Sequence, residues 1–433
     1  MACLMLSLNY KPPMMKRYDK YKESGIHWIG AIPEHWEVKK IRGLFAERRE
    51  IVSDSIWEAL SVSKDGVTPQ LATAVKTDNK DNRKKVCKGD FVVNSRSDRK
   101  GSCGFSVYNG SVSLINIVLY PSSPNSISQG YYHYLLRSNN YIEEFYRNGR
   151  GIVADLWTTH YSEMRNIFLP LPPRAEQEAI VAYLEEKVAQ MDSLAAKQEA
   201  QIAYLRELKQ AIIARAVTQG LDPHAPLRPS GIPWIGNIPE HWERRRCKDI
   251  LTESKEQVGD KCDSYTLLSL TTNGIVIRDL SEGKGKFPKD FETYKVVNPG
   301  NLIFCLFDVD ETPRTVGLAH HQGMITGAYN VFSVKNVSVD FLCYYFISFD
   351  DRKALRPLYK GLRKVVPLPT LMSMQIYLPP LSEQEAIVTY INRKTEEIDH
   401  LIAMTEQEIA RIRELKQTLI ADVVTGRINV QPS

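Results

Sequence analysis

The chain of 433 residues is one unit of about 207 residues written twice. The opening motif reads SGIHWIGAIPEHWE at residues 24–37 and SGIPWIGNIPEHWE at residues 230–243, with twelve of fourteen positions identical. A second copied segment begins EQEAIV at Glu176 and again at Glu383, and it continues without a gap through RELKQ at 206–210 and 413–417. A repeat of this length predicts two domains built on one plan.

Between the copied motifs lie two segments that share little sequence, the first variable segment (residues 38–170) and the second variable segment (residues 244–377). Their common landmarks are faint, such as KGDFVV at 88–93 against PGNLIF at 299–304. Simple duplication explains the copies but does not explain why only the connecting motifs stayed alike. The pattern indicates a constant frame that carries two different reading domains.

The copied segments are typical of long helices. Residues 176–216 contain neither Pro nor Gly and are rich in good helix formers. Pro172–Pro173 and Pro379–Pro380 precede the two helices, while Gly220 and Gly426 follow them. Apolar residues recur at alternating spacings of four and three, the period of a coiled coil. The predicted spacer residues are Met191, Leu194, Ile202, Leu205, Leu208, Ile212, Ile398, Leu401, Ile409, Ile412, Leu415 and Leu419.

Two such helices in one chain most simply pack on each other. An antiparallel pair would make the chain pseudo-two-fold, with the variable segments at opposite ends of a rod of roughly 60 Å. The alternative is that each helix pairs with a helix of a partner protein.

The variable segments alternate β-rich runs, such as Phe91–Val93 and Leu302–Phe307, with helical stretches at Tyr131–Tyr146 and Phe341–Leu355. These patterns predict mixed α/β or α+β domains. Because the net charge is only +5, a surface for nucleic acid must be local. Basic clusters fit phosphate contacts, although a solvated surface explains them equally well. The candidate DNA-binding residues are Lys64, Arg83, Lys84, Lys85, Arg96, Arg99, Lys100, Arg150, Lys284, Lys286, Arg314, Lys360, Arg363 and Lys364.

Several function classes lack their motifs in this sequence. A DNA methyltransferase needs a Gly-rich cofactor loop and an N/D-P-P-aromatic tetrad, and neither is present, nor is a nucleotide-binding phosphate loop. The Glu207–Lys209 triplet resembles part of a nuclease motif but lies within the helical heptads. Seven cysteines without a CxxC pair favour a reduced cytoplasm, and no apolar run is long enough to span a membrane. We therefore predict no catalytic residue and no metal site.

The first residues raise a separate question. Met14 and Met15 directly precede a polar stretch, and residues 1–13 lack the features of a signal peptide. We expect residues 1–13 to be an extended or mis-called start of the chain.

The motifs SGI-x-WIG-x-IPEHWE, PLPP-x-x-EQEAIV-x-Y and RELKQ-x-x-I-A-x-x-VT resemble those of the specificity subunit of type I restriction-modification systems. The resemblance covers about residues 16–427. It implies two target recognition domains (24–170 and 221–378), a central conserved helix (171–220) and a C-terminal conserved helix (379–427), with an N-terminal extension (1–23) and a tail (428–433).

The resemblance also implies a function. The recognition domains would read the two halves of an asymmetric double-stranded DNA site, and the helices would set the gap and dock two methyltransferase subunits. Restriction/translocase subunits would join them. S-adenosylmethionine, ATP and Mg would bind the partner subunits, and this chain would bind no cofactor and no membrane. The alternative is a coiled-coil scaffold or protein-interaction subunit that does not read DNA.

Overall fold

The computed structural model describes residues 16–70, 81–123, 127–151, 157–278 and 291–431. The expected extended start at residues 1–13 and the candidates Lys284 and Lys286 lie outside these residues. The chain forms two compact units, the first made of residues 1–198 and 407–433 and the second of residues 199–406. Each of the two long copied helices therefore contributes one half to each unit.

The first unit is built from short strands and helices that precede the first long helix. Its strands are β1 (Tyr21–Glu23), β2 (Ala31–Pro33), β3 (Glu37–Lys40), β4 (Phe45–Glu47), β5 (Ile51–Val52), β6 (Leu60–Ser63), β7 (Gly66–Pro69), β8 (Arg83–Val86), β9 (Phe91–Asn94), β10 (Cys103–Phe105), β11 (Gly110–Ser113), β12 (Asn116–Pro121) and β13 (Phe168–Leu171). Its helices are α1 (Ile41–Leu44), α2 (Gln129–Leu136), α3 (Asn139–Arg147), α4 (Tyr161–Met164) and the first half of α5 (Arg174–Gln219).

The second unit repeats this order of elements. Its strands are β14 (Leu227–Pro229), β15 (Asn237–Pro239), β16 (Glu243–Arg246), β17 (Leu251–Ser254), β18 (Leu268–Thr271), β19 (Gly274–Ile277), β20 (Lys295–Val297), β21 (Leu302–Phe304), β22 (Val316–Leu318), β23 (Gly323–Ile325), β24 (Asn330–Val334) and β25 (Gln375–Leu378). Its helices are α6 (Cys247–Ile250), α7 (Val339–Asp351), α8 (Leu368–Ser373) and the first half of α9 (Leu381–Val424).

The two variable segments share one topology although their sequences diverged. The first contains a four-stranded sheet in the order β10-β9-β12-β4, and the second contains its counterpart in the order β17-β24-β21-β22, read from the opposite edge. In both, the neighbouring strands are antiparallel. The faint landmark at residues 88–93 and 299–304 leads into the equivalent strands β9 and β21. The predicted mixed α/β class with duplicated domains is confirmed.

The long helices begin and end where the sequence predicts. Helix α5 has 46 residues and α9 has 44. Gly220 and Gly426 follow them at φ +74° and +76°, the left-handed conformation that terminates many helices. Gly426 is also a close approach, because a Cβ atom there would lie 2.4 Å from the Pro33 ring and 2.9 Å from Trp36.

The helical stretch predicted at Tyr131–Tyr146 is two helices, α2 and α3. Ser138 separates them, and its side chain accepts a hydrogen bond from the backbone N–H of Tyr141 as the N-cap of α3. A serine hydroxyl at this position competes with the helical backbone pattern and favours a new start.

Within each unit, the copied motifs supply the core. In the first unit, Trp36 and the end of α9 at Val423 and Val424 are buried with the aromatic residues of α2 and α3. In the second unit, Trp242 is buried with α7 and with Ile387 of α9. The frame and the variable segment of each unit therefore share one hydrophobic core.

The helices run antiparallel to each other within both units. In the first unit, Lys416 lies 2.5 Å from Asp192 and the Gln198 amide donates to Glu408 at 2.7 Å. In the second unit, Lys209 binds Asp399 at 2.7 Å and Arg206 lies 3.3 Å from Glu406. In these pairs the residue number along α9 falls as the residue number along α5 rises, as an antiparallel pair requires.

The stripe of buried residues between α5 and α9 is narrower than the set of predicted spacer residues. Ile202, Leu205, Ile398, Ile409 and Leu419 are buried, and Met191, Leu208, Ile212 and Ile412 are partly buried. Leu194, Leu401 and Leu415 are instead exposed to 37%, 48% and 39%. They fall beside the four-three positions, and a two-helix contact covers only a narrow seam of each helix.

Helix α2 contains a titrating group that should make the first unit sensitive to acid. Burial, together with the charge of Arg137, lowers the pKa of His133 to about 4 from its usual 6.5. The unfolded chain therefore binds a proton before the folded chain does, and stability falls as the pH drops from 6.5 towards 4.

We expect the His133→Gln variant to lose about 2 kcal/mol less stability than the wild type between pH 7 and pH 4.5. Urea unfolding of both chains at the two pH values, followed by tryptophan fluorescence, measures the difference. Equal acid sensitivity of the two chains would contradict a neutral His133 in the folded state.

Candidate nucleic-acid interface and its supporting frame

A buried carboxylate joins the opening motif to the start of α5. Glu176 accepts hydrogen bonds from the indole N–H of Trp36 at 2.8 Å and from the hydroxyl of Tyr18 at 3.1 Å, and His35 contacts its second oxygen. The Glu176 side chain is only 8% exposed. Burial and the Glu176 charge raise the pKa of Tyr18, so that its hydroxyl stays a donor. We call this arrangement the glutamate clamp.

The second unit repeats the clamp with the equivalent residues. Glu383 at the start of α9 accepts from the Trp242 indole N–H at 3.2 Å and lies 2.7 Å from His241 Nε2. Its side chain is more exposed, at 28%. The His-Trp pair of the opening motif and the Glu of EQEAIV are thus copied together because they bind each other.

The glutamine of the same motif ties the long helix to the variable segment. The Gln177 side chain accepts from the Ser128 backbone N–H at 2.8 Å and donates to the Pro172 carbonyl at 2.9 Å. In the second unit Gln384 makes the same two contacts, with Ser338 and Pro379, at 2.9 and 2.8 Å. Ser128 and Ser338 are the N-caps of α2 and α7. Sequence reasoning missed these roles, although the joint copying of EHW and EQ was a signal for them.

Two of the candidate DNA-binding residues make their contacts inside the fold. Arg83 is 5% exposed and donates to the side chain and the carbonyl of Ser111. Lys84 donates to the Asn116 carbonyl at 2.8 Å and lies beside Glu47. Both belong to β8, where the sheet register places them against β11 and β5. The phosphate contacts of these two residues stay a prediction, although their charged groups already have partners inside the domain.

Lys85 and Arg314 are occupied in the same way. Lys85 binds Glu50 at 2.8 Å and stacks over the Trp57 ring at 4.4 Å, which leaves its side chain 19% exposed. Arg314, 17% exposed, lies 2.8 Å from Asp351 and 3.4 Å from Asp350. In both cases the acidic partner lies far away in sequence, so a local count of charges could not reveal it.

The remaining described candidates of the first unit are exposed. Arg96 pairs with its neighbour Asp98, and Lys100 binds Glu143 at 2.6 Å. Arg150 is 81% exposed, with Glu163 at 3.4 Å. Arg96 and Arg150 are brought together, because each forms a β-bridge with Thr158. Arg99 lies beside them with its side chain 68% exposed, and Lys64 is exposed in the β6–β7 turn.

The exposed candidates of the second unit share one loop, residues 359–365, which we call the tip loop. Lys360 and Val365 close it by a β-bridge, as Arg150 and Thr158 close a loop of the first unit. Arg363 is 68% exposed and Lys364 39% exposed. The structure therefore brings Arg96 and Arg150 together in the first unit and Lys360, Arg363 and Lys364 together in the second, while Lys64 lies in a separate turn.

Over the described ranges, no three His, Cys, Asp or Glu side chains are grouped so that they could hold a metal ion. No helix in the same ranges has the length and apolar character needed to cross a membrane.

Known proteins match the chain along most of its length. It is 25% identical to the type I restriction enzyme MjaX specificity subunit of Methanocaldococcus jannaschii, over 93% of this chain and 96% of that protein. It is 23% identical to the EcoKI specificity subunit of Escherichia coli K12, over 61% of this chain and 58% of that protein.

A solved chain reported in work on assembly and conformational transition of the type I R-M system has the same fold. It superposes with a TM-score of 0.64 at 13% identity, covering 91% of this chain and 98% of that one. No protein-family model matches the sequence.

The duplicated frame thus has its counterpart in a specificity subunit, which matches over 93% of this chain. Along most of its length the chain is similar to specificity subunits of type I restriction-modification systems. The resemblance indicated by the repeated motifs is thus confirmed.

The glutamate clamp should be a large contributor to stability. We expect Glu176→Ala to lower the free energy of unfolding by about 2–3 kcal/mol, because it leaves a buried indole N–H unpaired. Chemical unfolding measures the loss. Glu178→Ala is the matched control, since Glu178 is 60% exposed and pairs only with its helical neighbour Arg174. Equal small effects of both changes would show that the clamp is dispensable.

Proposed function

We propose that the chain selects the DNA site of a type I restriction-modification complex by reading two separate half-sites. Each variable segment reads one half-site, and the paired helices set the number of unread base pairs between them. The observation that carries the proposal is the contrast within each unit. The frame keeps the same clamp residues in both copies, while the surface loops of the shared topology differ.

The distribution of charge on the surface favours sequence-specific DNA contacts over non-specific electrostatic attraction to phosphates. Most cations of the variable segments are paired with carboxylates, so that a general phosphate field is weak and the loops must contribute specific contacts. Phosphate contacts by partner subunits would supply the rest of the affinity. A scaffold without DNA contacts would not require two different loop sets on one topology.

The partners and cofactors follow from the same proposal. Two modification subunits dock on the paired helices, where exposed Leu194, Leu401 and Leu415 offer apolar contacts. These subunits bring S-adenosylmethionine and extract the target adenine from the duplex. Restriction subunits add ATP and Mg. The complex works in the cytoplasm, where the DNA is.

A heptad insertion tests the spacing role. One heptad is inserted in α5 between Gln198 and Glu199 and another in α9 between Glu406 and Gln407, which preserves the phase of the buried stripe. The pair lengthens by roughly 10 Å, so we expect the unread gap to grow by about three base pairs.

Methylome sequencing of cells carrying the variant and its modification subunits measures the gap. Insertion in α5 alone is the control, because it misaligns the two helices and should abolish methylation. A methylated site with an unchanged gap would exclude the spacing role.

A comparison of two lysines tests the DNA surface. We expect Lys64→Ala to reduce the slope of log affinity against log salt by about 1 in the complex with the modification subunits, with stability unchanged. Lys84→Met should lower stability and leave the slope unchanged, because Lys84 is occupied by Asn116 and Glu47. Salt titrations of DNA binding and thermal unfolding decide the matter. Identical slopes for wild type and Lys64→Ala would remove Lys64 from the interface.

A further inference from the structure

Leu362, in the tip loop of the second unit, is fully exposed at 102% of its reference area. No other large hydrophobic residue in the described ranges is as exposed, and the next is Ile56 at 82%. An apolar side chain in this position contributes nothing to the folded core. Its exposure needs an explanation outside the stability of the isolated chain.

The backbone of the tip loop is held in place on both sides. Lys360 and Val365 exchange two hydrogen bonds at 2.8 and 3.0 Å, and the Lys364 N–H donates to the Gly361 carbonyl at 3.2 Å. The Val366 N–H donates to the Leu306 carbonyl at 2.8 Å, which joins the loop to the end of β21. Leu362 therefore stands on a constrained turn.

The segment after β21 braces the loop from a second direction. The Asp308 N–H donates to the Arg363 carbonyl at 2.8 Å, and the Arg363 guanidinium returns to the Asp308 carboxylate at 2.7 Å. The same guanidinium lies over the Phe307 ring at 5.0 Å. Lys364 binds Asp310 and Glu311 at 3.2 and 3.0 Å. Arg363 lowers the pKa of the Asp308 carboxyl, so that the pair stays charged at neutral pH.

This brace includes unfavourable backbone conformations. Asp308 has φ +48° and Lys364 has φ +44°, and left-handed conformations are uncommon for residues other than glycine. Such conformations persist only where the surroundings enforce them, and they are concentrated at functional sites. Here the two strained residues flank the one fully exposed leucine.

The charges around the tip favour duplex DNA over a protein as its occupant. Arg363 and Lys364 are neutralised by their acidic partners, so the loop neither repels phosphates nor acts as a strong phosphate clamp. A protein-binding site would need a contiguous apolar patch. In the second variable segment the other large exposed hydrophobic residue of the described ranges is Ile277, in the separate β18–β19 hairpin. A single apolar side chain beside cations is the pattern of wedges that enter between base pairs.

We propose that Leu362 is an apolar wedge that enters the half-site read by the second variable segment and unstacks one base step. The inference rests on the proposed DNA-reading function. The brace makes the wedge effective, because a side chain on a loose loop would fold back against the protein instead of entering the stack.

The test uses the complex of the full chain with its modification subunits and duplexes carrying the site that methylome sequencing identifies. 2-Aminopurine is placed in turn at each position of both half-sites. With the wild type, fluorescence should rise at one step of the second variable segment's half-site. Leu362→Ala should abolish this rise and weaken binding at least tenfold, and Leu362→Phe should retain both.

A mismatch at the wedge step supplies the decisive readout. It removes most of the unstacking cost in advance, so that binding by Leu362→Ala should recover to within about threefold of the wild type. Leu381→Ala is the matched control, an exposed leucine of the same unit at the start of α9. It should leave the fluorescence at the wedge step unchanged.

Three results would overturn the wedge. If Leu362→Ala binds within twofold of the wild type with the same fluorescence, DNA reading stands and the wedge falls. If the variant fails to assemble with the modification subunits while remaining folded, Leu362 is a protein contact. If the wild-type complex shows no sequence preference for any duplex, the proposed function itself fails.

Discussion

The carboxylate at the start of each long helix, buried in the first unit and partly exposed in the second, makes the interaction on which the rest of the structure depends. A buried charge is tolerated only when donors surround it, and Glu176 takes them from Tyr18, His35 and Trp36. Trp36 and Glu176 are 140 residues apart in sequence, so the contact closes the variable segment into a loop with both ends held. Glu383 does the same for the second unit. Sequence between the ends can then change while the frame persists.

The pairing of charged groups also determines which basic side chains are available at the surface. Arg83 and Arg314 were candidates for DNA binding in the sequence, but in the fold they donate hydrogen bonds to groups of their own domains. Several of the cations that stay exposed are paired with carboxylates, and in the second unit the brace at Asp308 also carries strained backbone. A reading surface made in this way depends more on shape and defined contacts than on net positive charge. A modest overall charge of +5 is consistent with that design.

Much of the fold could be predicted because its determinants are local or repeated. The helix lengths followed from composition, from the flanking prolines and from Gly220 and Gly426. The seam followed from the period of Ile202, Leu205 and Ile409. The break between α2 and α3 at Ser138 and the exposure of Leu194 could not be predicted in this way. Whether a serine hydroxyl caps a new helix depends on the backbone conformation in the folded chain. The width of the buried seam depends on how many helices cover it.

The sequence by itself determined that the chain is a duplicated frame with two divergent inserts, because twelve identical positions in a fourteen-residue motif need no coordinates to be seen. It also carries the resemblance to the specificity subunits of type I restriction-modification systems. Only the tertiary structure decided which residues hold the frame together and which cations remain available. Trp36 meets Glu176, Arg314 meets Asp351, and Asp308 meets Arg363 across long stretches of chain. Contacts of this kind join loops and helix ends that only the tertiary fold brings together, and no local pattern in the sequence records them.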